Sequence, residues 1–228
     1  MNKLEYTVTA WPTNGLPSTL AERTRRVYDR MAPFYPLSTM LFHSRAHRCA
    51  VDAAGIEDGM RVLEVATGSG EMFRRILKAN PRGTNVGVDL SPNMAARTQN
   101  RARREFPRAD AHCQAVDARH MPFPDRAFDV VVCCYLLELL AAEDIVRTVR
   151  EFHRVLRSPG SLALVLIGQN TAAFNGIYQV LGKLAPAFWG RQVERRVPEL
   201  IEAGEFSIAT DRLVRQTLYP SRVLVARK

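Results

Sequence analysis

The residues whose types and spacing could do chemistry gather at Glu64, Ala66, Thr67, Gly68, Gly70 and Glu71, where the apolar run Val62-Leu63-Glu64-Val65 enters a glycine turn and then a helix. Gly68 and Gly70 carry no side chain, so backbone N–H groups and the positive end of a helix beginning near Glu71 can closely approach an anionic group. Glu64 argues against a phosphate there. A carboxylate just before the turn repels a pyrophosphate and suits a ligand that carries an ammonium beside its carboxylate.

A second acid fits the same pocket. Asn85 to Leu90 reads as a short apolar strand with Asp89 near its tip, nineteen residues past Gly70. A carboxylate there can accept hydrogen bonds from two ribose hydroxyls, because in doubly wound folds the ligand lies outside the carboxyl ends of adjacent strands. A dinucleotide fold shares that acid but needs a third Gly or Ala three residues after the second, and Phe73 stands there. The turn alone is compatible with a plain strand-to-helix connection. Turn and acid together point to a nucleoside with an amino acid tail, a methyl donor such as S-adenosylmethionine.

These groups must be held by regular elements, and the pattern from Arg61 onward alternates strand and helix. It predicts a strand to Ala66, a helix over 70–79, a strand over 85–90 and a helix from Pro92 to Phe106 with proline in the first turn. A third strand is expected at His112 to Val116 and a fourth at Ala127 to Tyr135, whose unbroken apolar run suits burial on both faces. A helix from Glu143 to Leu156, with Ile145, Val149, Phe152 and Leu156 as its apolar stripe, should stop at Ser158-Pro159-Gly160 before a strand from Ser161 to Ile167. The last strands are expected at Phe206 to Ala209 and Arg222 to Ala226. Such alternation implies an α/β doubly wound, mostly parallel sheet.

Residues 18–54 look helical and amphipathic, with Val27, Met31 and Tyr35 at fourfold spacing and breaks at Pro33 and Pro36. The expected organisation is one domain over 1–228: a helical cover over 1–56, a cofactor-binding core over 57–168, a helical lid over 169–204 and final strands over 205–228. A length of 228 residues with 46% apolar and 24% charged residues allows one domain with a sizeable core. Met1 to Pro12 lacks the apolar core of a signal peptide, and Val130 to Ala142 is too short to span a bilayer, so a cytoplasmic or peripheral location is expected. Cys49, Cys113, Cys133 and Cys134 show no metal-ligand spacing, so no metal is expected and the thiols read as reduced. The net charge of +9 implies attraction to something anionic, which could be nucleic acid, a membrane surface or an acidic substrate.

In this order the pieces resemble class I S-adenosylmethionine-dependent methyltransferases over roughly 61–168. The matching segments are VLEVATGSGE at 62–71, GVDLSPNM at 87–94, VDARHMPFPDRAFDVV at 116–131 and HRVLRSPGSL at 153–162. The resemblance implies a Rossmann-like seven-stranded sheet and S-adenosylmethionine as cofactor. By position it implies that Glu64 and the loop Ala66, Thr67, Gly68 and Gly70 face the methionine part, and that Asp89 holds the ribose. It further implies that Leu90 and Met94 flank the adenine, that Asp117 accepts from its amine and that Ala118 donates a backbone N–H. Helix capping by Asp117 and plain core packing of Leu90 and Met94 are the ordinary alternatives. Ala66 stands where the loop usually has its first glycine, a variant seen in the quinone C-methyltransferase group.

The segment Val27-Tyr28-Asp29-Arg30-Met31-Ala32-Pro33-Phe34-Tyr35 is similar to one shared by quinone C-methyltransferases and bacterial phospholipid N-methyltransferases. Two positions depart from those groups: Pro36 replaces an aspartate of the phospholipid group, and Glu138-Leu139 replace an Arg-Asn pair of the quinone group. Transfer from a sulfonium is an in-line displacement, which asks the enzyme mainly to align a nucleophile and exclude water. Tyr35 and Tyr135 are the candidate catalytic residues, with Glu138 and His43 behind them. The expected acceptor is lipophilic, a phospholipid headgroup amine or a quinone-like ring; a soluble metabolite, or a non-catalytic S-adenosylmethionine-binding subunit, is the alternative. Nucleic acid ranks third, because no Pro-Pro-aromatic turn follows the fourth strand. Phe188-Trp189-Gly190-Arg191 with Arg195-Arg196 would suit peripheral contact with an anionic membrane at its inner face.

Overall fold

The computed structural model describes residues 35–168, 193, 195–216 and 220–228, with side chains from residue 44 onward. Among these residues the chain forms α1 (Tyr35–Ala54), β1 (Arg61–Val65), α2 (Glu71–Ala79), β2 (Thr84–Asp89), α3 (Pro92–Glu105) and β3 (Asp110–Ala115). There follow β4 (Phe128–Cys134), a 3-10 turn (Leu137–Leu139), α4 (Ala142–Val155), β5 (Leu156–Ile167), α5 (Val197–Ala203), β6 (Ser207–Val214) and β7 (Ser221–Arg227). The seven strands make one sheet in the order β3-β2-β1-β4-β5-β7-β6, parallel throughout except that β7 runs antiparallel to both of its neighbours. Strand order reverses between β1 and β4, and in sheets of this kind ligands bind outside the carboxyl ends of the strands at such a point.

The central strands are apolar on both faces because both faces are covered. Leu63, Val65, Val131 and Cys133 pack toward α4, while Val62, Val130 and Val132 point the other way onto α1 and α2. Ile145, Val149 and Phe152 of α4 are fully buried, as their spacing predicts. Ser91 caps α3, its Oγ accepting the Met94 N–H at 3.2 Å, and Pro92 takes the first turn.

Several boundaries differ from the sequence expectation. α4 ends at Val155, one residue before the expected Leu156, and β5 starts earlier than the expected Ser161: Leu156 already pairs with Phe128, so β5 includes Ser158-Pro159-Gly160. β3 lies at 110–115 rather than 112–116. β6 and β7 are longer than expected, since Thr210, Asp211 and Arg212 pair with β7 without any apolar signal. No helix among the described residues is long and apolar enough to cross a membrane. Residues 1–34 of the expected cover over 1–56, and most of the expected lid, including Phe188 and Trp189, lie outside the described residues.

α1 has a direction that bears on the pocket. Ala46 donates its N–H to Gln216 Oε1 at 3.3 Å, near the start of β7, whereas Gly55 just past the helix lies beside Arg227 at the end of β7. Ser221 pairs with Ile167, the last residue of β5, so the start of β7 is level with the carboxyl ends of the parallel strands. The eleven residues before Ala46, from Tyr35 to Arg45, therefore continue upward past that level, roughly 16 Å of helix at 1.5 Å per residue.

Candidate functional site

The glycine turn is built from backbone conformations that few side chains tolerate. Ala66, Gly68 and Gly70 all have positive φ, at 64°, 48° and 74°. Gly70 is the N-cap of α2, and a Cβ there would meet Thr98 Oγ1 at 3.0 Å. The turn is fastened to β2: Ala66 and Thr67 donate to the Val88 carbonyl at 2.8 and 3.1 Å, and Gly68 donates to Asp89 Oδ2 at 2.8 Å. The other Asp89 oxygen accepts the Ser91 N–H at 2.9 Å. Asp89 is thus a hinge post for the loop as well as the acid at the strand tip.

Glu64 lies on the α2 side of β1, in register with Gly87 of β2. It is 2% exposed, and its Oε2 is buried without a hydrogen-bond partner. Burial first, then the negative charges of Asp89 and Glu71, pushes its carboxyl well above the usual range. Such an orphaned acid beneath a ring of small residues is the arrangement a cationic ligand group would complete. The residues present therefore fit the amino acid end of S-adenosylmethionine, with Glu64 able to face its ammonium and Asp89 its ribose.

Glu71 has the opposite fate. Burial alone would raise its pKa, but hydrogen bonds from Arg74 and the charges of Arg74, Arg75 and Arg101 outweigh it and hold the carboxyl below its usual value. The ion-pair distances are 2.8, 3.2 and 3.2 Å. Arg101 also reaches Ser69 O at 3.4 Å, so α3 braces the turn. Arg101 is held on its other side by Glu105 at 2.8 Å.

Of the residues expected to flank an adenine, Leu90 is 37% exposed, while Met94 is packed in the core. Asp117 is engaged by Arg119, whose Nε and Nη2 reach its oxygens at 2.9 and 2.6 Å. Burial opposes but the Arg119 hydrogen bonds prevail, holding the Asp117 carboxyl low. Ala118 is half-buried in the following turn.

At the end of β4, Tyr135 also has positive φ, 56°, a strained conformation for an aromatic residue. Its hydroxyl lies 2.8 Å from Ser221 Oγ, which in turn accepts from Gln216 Nε2 at 2.7 Å. The His47 ring lies 6.1 Å away, centroid to centroid. His47 is a neighbour that sequence reasoning missed, since nothing in α1 marks the residue that meets β4. Glu138 turns inward, its Oε1 accepting the Ile167 N–H at 2.7 Å. It is 1% exposed, and the strand end it binds is level with Ser221, the partner of Ile167 in β7. The Tyr35 and His43 side chains lie outside the described residues.

Comparison with known proteins agrees with this geometry. A family described as "Methyltransferase domain" matches residues 62–160. The chain is 28% identical over 152 residues to a 2-phytyl-1,4-naphtoquinone methyltransferase of Nostoc sp. strain PCC 7120, covering 64% of this chain and 65% of that protein, slightly under two thirds of its length. It is 29% identical over 188 residues to a demethylmenaquinone methyltransferase of Thermus thermophilus, covering 78% and 84%. A solved SAM dependent methyltransferase from Aquifex aeolicus superposes with a TM-score of 0.62 at 16% identity, over 91% of this chain and 97% of that one, and so shares the fold. By sequence and fold together, residues 62–160 match a methyltransferase domain, and the chain shares the fold of a solved S-adenosylmethionine-dependent methyltransferase and resembles the quinone methyltransferases.

Proposed function

We propose that this protein transfers a methyl group from S-adenosylmethionine to a lipophilic acceptor, with a quinone-like ring ahead of a phospholipid headgroup amine. The observation that carries the reading is the buried, unpartnered Glu64 Oε2 beneath the glycine turn, beside Asp89 at the next strand tip. Bound, the cofactor supplies an electrophilic methyl on a sulfonium. Glu64 and the backbone of 66–70 hold its amino acid end, and Asp89 holds the ribose. Leu90 offers apolar surface to the adenine beside Met94, and Asp117 and Ala118 meet its edge. Tyr135 lines the acceptor side, fixed by Ser221. In this reading residues 1–56 cover the mouth and 169–204 close over the acceptor, all within one domain. The preference for a quinone-like ring is supported by the two relatives named above, both of them quinone methyltransferases by name.

The test is incubation of the purified protein with methyl-labelled S-adenosylmethionine and fractionated lipid and metabolite extracts. Label in the quinone fraction is expected. Label in the aminolipid fraction replaces the ring by a headgroup, and label only in the aqueous fraction overturns the lipophilic acceptor. Cofactor binding with no label anywhere identifies a non-catalytic subunit instead.

A further inference from the structure

The two exposed large hydrophobic side chains among the described residues are Leu90 and Leu213. Leu90 belongs to the cofactor pocket. Leu213 is 60% exposed on β6, the edge strand of the sheet, and lies close to Gly168 and Pro220 at the carboxyl end of β5. Side chains alternate along a strand, so its neighbour Arg212 points to the other face, toward α1. There Arg212 lines a groove of about 450 Å³ together with Arg45, Arg48, Cys49 and Asp52 of α1. Arg215 continues the exposed cations just beyond β6. Among the described residues no carboxylate lies within ion-pair distance of Arg45, Arg48, Arg212 or Arg215, whereas Arg222 on the opposite face is bound to Asp211 at 2.6 Å. Four cations against the single Asp52, with Leu213 exposed on the other face of the same edge strand, give this corner the charge of a surface that rests on anionic lipid.

Its position matters as much as its charge. Val214 pairs with Ser221, and Gln216 bonds to Ser221, which holds Tyr135. The cationic corner is therefore one residue from the acceptor side of the pocket.

We propose that the corner formed by α1 and β6 docks the protein on an anionic membrane, turning the acceptor side of the pocket toward the lipid. Since it serves the lipophilic acceptor proposed above, it stands on that reading.

The test measures binding of the full chain to phosphatidylcholine vesicles with and without one third phosphatidylglycerol, at low and high salt. The wild type should bind only the anionic vesicles, and less at high salt. Arg45→Gln with Arg212→Gln should weaken partitioning by roughly five-fold for each arginine, and Leu213→Ser, on the other face of β6, should change it less. Arg103→Gln with Arg104→Gln on α3 removes the same charge elsewhere and should change it less than two-fold. Equal loss in both pairs overturns the proposal in favour of diffuse charge. So does absence of vesicle binding by the wild type, or binding of RNA or an acidic peptide at this corner without vesicle binding. Labelling of detergent-solubilised acceptor and calorimetric binding of S-adenosylhomocysteine are measured in every variant. These should be retained in the corner variants, and their failure in the wild type would refute the acceptor reading rather than the docking surface.

Discussion

Asp89 Oδ2 accepts the Gly68 N–H at 2.8 Å, which makes the acid of β2 and the glycine turn of β1 a single unit. Asp89→Ala should therefore lose twice, once at the ribose and once in the loop. Calorimetry with S-adenosylhomocysteine should show Kd raised between about ten- and a hundred-fold, the value of hydrogen bonds to a charged group. The melting temperature of the free protein should also fall. An unchanged melting temperature would mean that the Gly68 bond contributes nothing to the fold.

Ala66 holds a φ of 64° that glycine adopts without strain. Ala66→Gly should remove a left-handed cost of roughly 1–2 kcal/mol while adding an unfolded-state entropy cost of about 0.5–1 kcal/mol. A net gain of roughly 0.5–1 kcal/mol is expected, read as a higher urea midpoint at constant slope. A lower midpoint would show that the methyl group packs usefully.

Glu64 and Glu71 are neighbours with opposite pH linkage. The Glu64 carboxyl is raised, so its contribution to stability is full below the ordinary 4.5 and is lost as pH rises through its folded value. Glu71 is lowered, so its contribution is present above 4.5 and is lost as pH falls through its folded value. Denaturation of Glu64→Gln across the pH range should lose the decline on the alkaline side, and Glu71→Gln the decline on the acid side. Cofactor affinity in the wild type should rise with pH as Glu64 gives up its proton to meet an ammonium. Glu64→Gln should bind more weakly, with that rise gone.

Gly87 faces Glu64 in the register of β1 and β2, and a Cβ there would meet Thr67 Cγ2 at 2.8 Å, Cys113 Sγ at 2.9 Å and Phe73 Cε2 at 3.3 Å. Gly87→Ala should destabilise the protein by roughly 1–3 kcal/mol through overpacking. Pairing it with Cys113→Ala should recover part of that loss, as a chemical denaturation series would show.

The parts legible in the sequence were those under one dominant force. β1 and β4 showed as continuous apolar runs because both faces are buried, and Glu64, Gly68, Gly70 and Asp89 showed because a turn and a strand tip allow few residue types. β6 was half missed, since Thr210 to Arg212 pair through backbone alone on an exposed edge. The Glu71 and Arg101 pair was invisible because thirty residues of α2, β2 and α3 intervene before the two helices bring them together. Glu138 is legible as an acid just after β4, but its bond to the Ile167 amide is not, because twenty-nine positions separate the two in the chain.

Tyr135 and Ser221 sit at the ends of β4 and β7, strands that do not touch because β5 runs between them. The phenol therefore bridges over β5 and gives the segment around Gln216 a direct mechanical line to the tip of β4. A change at Gln216 has a route by which to alter how the methyl-receiving molecule of the proposed reaction is seated. Tension on that line would register as a change in turnover with the grip on the nucleoside left as it was.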